Sequence, residues 1–164
     1  MLDTELLNKV SGELINRHIT IATAESCSGG LLAHYLTNIS GSSNYFERGV
    51  VCYSNQSKIE LLNVPPEILN TYGAVSKETA EAMAIGIRKL AHTDIGLSTT
   101  GIAGPTGATK EKPVGLVFIG LSSEQSTQVR RYCFSGDRIK NKQLTCIKAL
   151  HFLHEMLGTY GSKL

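Results

Sequence analysis

Thr20-Ile21-Ala22-Thr23-Ala24 runs directly into Glu25-Ser26-Cys27-Ser28-Gly29-Gly30, and Leu31, Leu32, Tyr35 and Leu36 follow. The first five residues, rich in β-branched side chains, read as a short buried strand. The paired glycines suit a tight turn, and the apolar residues after them recur at helical spacing. A strand, a tight turn and a helix start in that order form the opening unit of an α/β fold.

The flanking sequence extends this pattern. Upstream, Leu6, Leu7, Val10 and Leu14 predict an amphipathic helix over residues 3–17. Downstream, residues 38–44 form a polar loop and Gly49 to Tyr53 a second strand. Asn55 is placed to cap a short helix holding Lys58, Leu61 and Leu62, and Pro65-Pro66 ends it and can open another helical turn. Ser76 caps a stronger helix whose buried face is Ala80, Met83, Ala84, Ile87 and Leu90. Ile95 to Thr100 is a third strand, followed by the Gly101 to Gly107 loop. Val114 to Leu121 and Thr127 to Phe134 read as a hairpin. Gly136-Asp137 caps a final helix with Leu144, Ile147, Leu150, Leu153 and Leu157 on its face. The expected architecture is one domain over residues 1–164, a three-layer α/β/α sandwich with a mixed sheet.

Composition narrows the function classes. The chain has 164 residues, a formal charge of +2 and 41% apolar residues. That charge, without a Lys/Arg stripe interleaved with aromatics, gives no reason to expect nucleic acid as a partner. No apolar run is long enough to span a bilayer, and the acidic, helix-like Met1 to Glu5 is unlike a signal peptide, so a cytoplasmic location is expected. Cys27, Cys52, Cys133 and Cys146 are scattered, with no CxxC pair, and read as reduced, partly buried thiols. His151 and His154 share a helical face without an acidic partner in their pattern, so they read as structural or solvent-exposed rather than as metal ligands. No metal and no organic cofactor is expected.

Three polar clusters fall where strands end and helices begin, the places where α/β proteins gather ligands. The turn at Ser28, Gly29 and Gly30 suits an anion or an oxyanion through its backbone N–H groups, or simply lets helix pack on strand. The Gly101 to Gly107 loop lacks the Gly-Lys-Ser/Thr step of a nucleotide phosphate loop, which argues against ATP hydrolysis. Gly41-Ser42-Ser43 and Tyr53-Ser54-Asn55-Gln56-Ser57-Lys58 supply a serine, a tyrosine and a lysine. A lysine that loses its proton in a dry pocket can activate a serine nucleophile. If the 42–43 loop folds over the strand edge, Ser43, Tyr53 and Lys58 converge. The same residues also fit a solvated lysine and ordinary loop serines. Cys27 with His34 could form a nucleophile pair, although a buried inert thiol fits the pattern better.

The runs ATAESCSGG, GSSNYFERGVVCYSNQSK, GAVSKETAEAMA, TTGIAGPTG and FSGDR together resemble the CinA C-terminal-domain family, over roughly residues 5–157. Stand-alone members of that family include nicotinamide mononucleotide deamidases. The resemblance implies hydrolysis of the carboxamide of nicotinamide mononucleotide to nicotinate mononucleotide and ammonia, without a metal or organic cofactor. It implies Ser43 as nucleophile, the second serine of the GSS run, with Lys58 and Tyr53 from the YSN-x-x-K run. Ser26, Thr100 and Arg138 are implied as residues that hold substrate or stabilise charge, and Gly29 and Gly30 with Arg138 are candidates for the substrate phosphate. A homodimer is also implied. The chain departs from the family pattern at Ser28, where threonine is usual, and at Lys142, where arginine is common; the second swap would weaken a bidentate anion contact. A non-catalytic nucleotide-binding or partner-binding domain is the alternative.

Overall fold

The structure, a computed structural model, describes residues 4–159. Helix α1 (Thr4–Asn16) leads into strand β1 (Ile21–Glu25) and helix α2 (Leu31–Thr37). The next elements are β2 (Phe46–Val51), α3 (Asn55–Leu62), α4 (Pro66–Tyr72) and α5 (Lys77–Ala91). Strand β3 (Ile95–Gly101), the hairpin β4 (Leu116–Ser122) and β5 (Thr127–Cys133), and α6 (Arg138–Thr159) complete the chain. The sheet order is β2-β1-β3-β4-β5. Strand β1 is parallel to both β2 and β3, β4 runs antiparallel to β3 and β5 antiparallel to β4, so the sheet is mixed as expected.

Alternation along the strands builds the layers. Ile21, Ile95, Leu97, Val117, Ile119 and Leu121 face one side and join a core with α1, α2 and α6. Their neighbours on the other side are small: Ala22, Ala24, Gly96, Ser98 and Gly120. This lets α5 settle backbone-close on the sheet. Ser98 Oγ donates to the Ala80 carbonyl, and a Cβ at Gly96 would fall 2.2 Å from the Ala84 oxygen. Period-two burial with large residues on one face and small ones on the other thus sets two different layer spacings.

Several local expectations shift. Ser54, not Asn55, caps α3, its hydroxyl accepting from the Ser57 N–H at 3.0 Å. Strand β2 begins and ends earlier than Gly49 to Tyr53. Leu90 is exposed because it borders a groove between α4 and α5 instead of packing on the sheet. On α6, Leu150, Leu153 and Leu157 are buried, whereas Leu144 and Ile147 are only half-buried; the face is completed by Asn141, Thr145, Cys146, Ala149 and Phe152. The predicted start of α1 at residue 3 lies outside the described residues. The caps at Ser76 and Asp137 form as read, with Ser76 Oγ accepting from Thr79 N–H and Asp137 Oδ1 from Lys140 N–H.

Candidate active site

Parallel strands place whatever follows them at the same end of the sheet. Ser26 follows β1, and the segment Cys52 to Lys58 follows β2. The register is fixed by Glu25 pairing with Val51, and by the Cys52 N–H bonding the Glu25 carbonyl at 2.9 Å. Lys58, closing the first turn of α3, leans back over that end. Its Nζ lies 3.2 Å from Ser26 Oγ, 2.9 Å from the Cys52 carbonyl, 3.3 Å from that of Tyr53 and 3.4 Å from that of Ser54. The lysine is 1% exposed. Its recorded partners are a hydroxyl and three carbonyls, none of them a carboxylate. Burial therefore lowers its pKa, with the nearby Cys52 and Cys27 thiols acting in the opposite sense.

Ser43 does not join this group. It sits exposed in a 3-10 turn (Ser42–Asn44) ahead of β2, and the Tyr45 carbonyl there pairs with the Ile21 N–H at the start of β1. Tyr45 anchors the turn from below, its buried hydroxyl bonded to the Leu36 carbonyl and to Ser11. At about 3.3 Å per residue, six residues of β2 put Ser43 roughly 20 Å from Lys58. The expected convergence of Ser43 with Lys58 is corrected to Ser26 with Lys58. The signal was present in the sequence: Ser26 and Lys58 each follow a strand, while Ser43 precedes one.

The turn that carries Ser26 is folded around Glu25. This buried carboxylate accepts from Ser28 Oγ at 2.7 Å and from the N–H groups of Gly30, Leu32 and Ala33 at 3.0, 3.0 and 2.7 Å. Ser28 Oγ also meets Thr99 Oγ1 at 2.6 Å. The Gly29 N–H is spent on the Ser26 carbonyl. Gly29 and Gly30 consequently do not present free N–H donors to an anion; an internal carboxylate already occupies that place. Both adopt left-handed φ, and a side chain at Gly29 would meet the Lys142 ammonium at 3.3 Å. Among the described residues, the Cys27 and Ser28 N–H groups make no hydrogen bond to another residue. Cys27 is buried, and desolvation pushes its thiol up to about 12, the condition of an inert cysteine.

Tyr53 and Arg138 form the mouth. Tyr53 is 58% exposed, and its hydroxyl accepts from Arg138 Nη2 at 2.8 Å rather than bonding Lys58. Arg138 Nη1 donates to the Gly104 carbonyl at 2.9 Å. Thr100 is buried with its hydroxyl donating to the Ala74 carbonyl at 2.6 Å, so it ties β3 to the segment before α5. Beside Arg138 lies a cleft of about 430 Å³ walled by Ala103, Gly104, Pro105 and Val114. A larger cavity of about 550 Å³ lies away from this chemistry, between α4 and α5. Among the described residues no three His, Cys, Asp or Glu cluster as metal ligands would, and no helix is long and apolar enough to cross a membrane.

A mixed α/β sandwich with a buried serine–lysine contact at the carboxyl ends of its parallel strands defines a class of protein able to carry nucleophilic chemistry. The model of the CinA C-terminal domain matches residues 3–157, and the chain belongs to that family. It is 53% identical over 157 residues to a CinA-like protein of Syntrophus aciditrophicus, covering 95% of this chain and 37% of that protein. A relative from Acetivibrio thermocellus is 50% identical over 162 residues, covering 99% of this chain and 38% of the relative. The chain thus spans less than two fifths of the length of these curated relatives. Among solved structures, the CinA superfamily protein KP700603 from Klebsiella pneumoniae 700603 superposes with a TM-score of 0.94 at 32% identity, covering 98% of this chain and all of that one. A competence/damage inducible protein from Agrobacterium tumefaciens gives 0.90 at 36% identity, with 94% of each chain covered.

Proposed function

We propose that this chain is an amidohydrolase in which Ser26 is the nucleophile and Lys58 the general base, acting on the carboxamide of nicotinamide mononucleotide. The observation that carries the reading is the contact of Lys58 Nζ with Ser26 Oγ at 3.2 Å, both side chains buried and no carboxylate bonded to the lysine. A neutral lysine has two N–H bonds and one lone pair. The carbonyls of Cys52 and Tyr53 suit the first two, leaving the lone pair for the serine proton.

Ser26 Oγ attacks the amide carbon and its proton passes to Lys58. The Cys27 and Ser28 N–H groups, which bond no other described residue, are the donors this reading assigns to the oxyanion. As the C–N bond breaks, Lys58 returns the proton to the departing nitrogen and ammonia leaves. Water then attacks the acyl ester, giving its proton to Lys58, which reprotonates Ser26 as the acid departs. Arg138 and Lys142 are the cations available for the substrate phosphate, as Gly29 and Gly30 are already engaged. The family resemblance supports the choice of substrate, and the Ser26–Lys58 contact supports the chemistry.

The test is ammonia release from nicotinamide mononucleotide by purified protein, with Ser26→Ala and Ser43→Ala in parallel. Ser26→Ala is expected to lose roughly 10⁴-fold or more in kcat, with Ser43→Ala close to wild type. Retained turnover in Ser26→Ala would overturn the assignment of the nucleophile. No release by the wild type would overturn the substrate.

A further inference from the structure

Asn141 is a polar side chain with 0% exposure in the first turn of α6, and all its amide groups are engaged. Its Nδ2 donates to the Ala103 carbonyl at 3.0 Å and to the Gly136 carbonyl at 2.8 Å, and its Oδ1 accepts from the Gly136 N–H at 3.0 Å. Burying an amide is unfavourable unless it is fully paired, and an apolar residue could fill the same volume. What an amide adds is a fixed distance between two backbone segments. Here those segments are the loop after β3 and the turn before α6.

Both segments determine where Arg138 points. Gly136 lies two residues before Arg138 and sets its backbone. Ala103 lies one residue before Gly104, whose carbonyl accepts from Arg138 Nη1. With both ends fixed, Nη2 reaches the Tyr53 hydroxyl across the mouth of the site. The cleft between the two segments has Arg138 on its rim.

We infer that Asn141 is a positioning residue that sets the Arg138 guanidinium at the mouth of the Ser26–Lys58 site, and that it thereby gives the site its preference for substrates bearing an anionic group. The inference rests on the amidohydrolase reading for its substrate, but the placement of Arg138 can be tested without any ligand.

The experiment compares Asn141→Leu with wild type, using Asn141→Ser as a milder variant should the first fail to fold. The first readout is the ¹⁵N spectrum of the Arg138 guanidinium, assigned by its loss in Arg138→Ala. Hindered, resolved Nη signals in the wild type are expected to collapse to an averaged signal in the Asn141 variants; unchanged signals would overturn the inference whatever the substrate is. The second readout is the Kd of nicotinamide mononucleotide in a Ser26→Ala background, where turnover cannot interfere. Asn141→Leu and Arg138→Ala should each weaken binding at least roughly tenfold, and the double variant should be no weaker than Arg138→Ala alone. Multiplying effects, or an unchanged Kd beside a collapsed spectrum, would sink the functional half. If nicotinamide mononucleotide does not bind Ser26→Ala at all, the substrate reading falls and the guanidinium spectrum alone decides the positioning of Arg138.

Discussion

Replacing Gly86 by alanine tests how Lys58 is delivered to Ser26. Gly86 lies in α5 under the carboxyl end of α3. An ideal Cβ there falls 2.2 Å from the Leu62 carbonyl oxygen and 3.0 Å from the Leu62 Cβ. The first distance is about 1 Å short of an ordinary contact, and backbone cannot rotate aside as a flexible side chain can. Helix propensity alone favours alanine by about 1 kcal/mol. Overpacking of this kind costs about 1–3 kcal/mol, so the contact outweighs the propensity and the variant loses about 1 kcal/mol net. For a domain of this size that lowers Tm by about 3 °C. The larger effect falls on the site. Leu62 is one helical turn beyond Lys58, and moving α3 outward by about 1 Å carries Nζ away from a 3.2 Å contact. A displacement of that size costs about 10²-fold in kcat. Thermal melts followed by circular dichroism and ammonia-release kinetics on Gly86→Ala read both quantities. A raised Tm with unchanged kcat would refute the seating of α3 on α5 by this contact. A lowered Tm with unchanged kcat would refute the link from that seating to Lys58.

Lys58→Met should be inactive, and its stability should depend on pH differently from that of the wild type. Burial lowers the folded-state pKa of Lys58 below its unfolded value. Between those two values the unfolded chain holds more protons, so the lysine makes stability rise with pH, a slope methionine lacks. Denaturant midpoints from pH 7 to 10 should rise for wild type relative to Lys58→Met; parallel curves would contradict a depressed pKa. The same shift predicts that wild-type kcat/KM rises with pH through a Lys58 pKa below the ordinary lysine range. Glu25→Gln has the same shape but only one acceptor oxygen for four donors, and it turns an NH2 toward a backbone N–H. It should lose about 10²-fold in kcat and about 1–3 kcal/mol of stability, and normal kinetics would remove Glu25 as the organiser of the Ser26 turn.

The layers were legible because alternation and helical spacing are local signals. Ala22, Ala24, Gly96 and Gly120 were visible as small residues, but their common face toward α5 depends on strand register. The candidate site was legible in its parts and not in its assembly. Lys58, Tyr53, Ser26 and Arg138 were all singled out, yet the lysine was paired with the serine nearer in sequence. Ser26 and Lys58 are 32 residues apart and meet only because β1 and β2 run parallel and in register. Glu25 was read as the first residue of the turn, since nothing in a linear sequence shows a carboxylate ending the strand and turning back on the helix that follows it. Asn141 was passed over as a polar residue in a helix, the commonest place for a solvated side chain.

Strand β2 is one of the sheet's two edges, paired on one side only and mostly exposed along its length. Ser26, the proposed nucleophile, follows the strand next inward, whereas Lys58, the proposed base, follows β2 itself. The two halves of the site therefore belong to parts of the molecule with unequal resistance to local opening. Peeling of β2 through its end would carry off the Cys52 and Tyr53 carbonyls that hold Lys58 Nζ beside Ser26, even with α3 still seated on α5. Heat or denaturant should silence such a molecule before unfolding it, so its working temperature range is set by the fraying of one peripheral strand and not by its melting point.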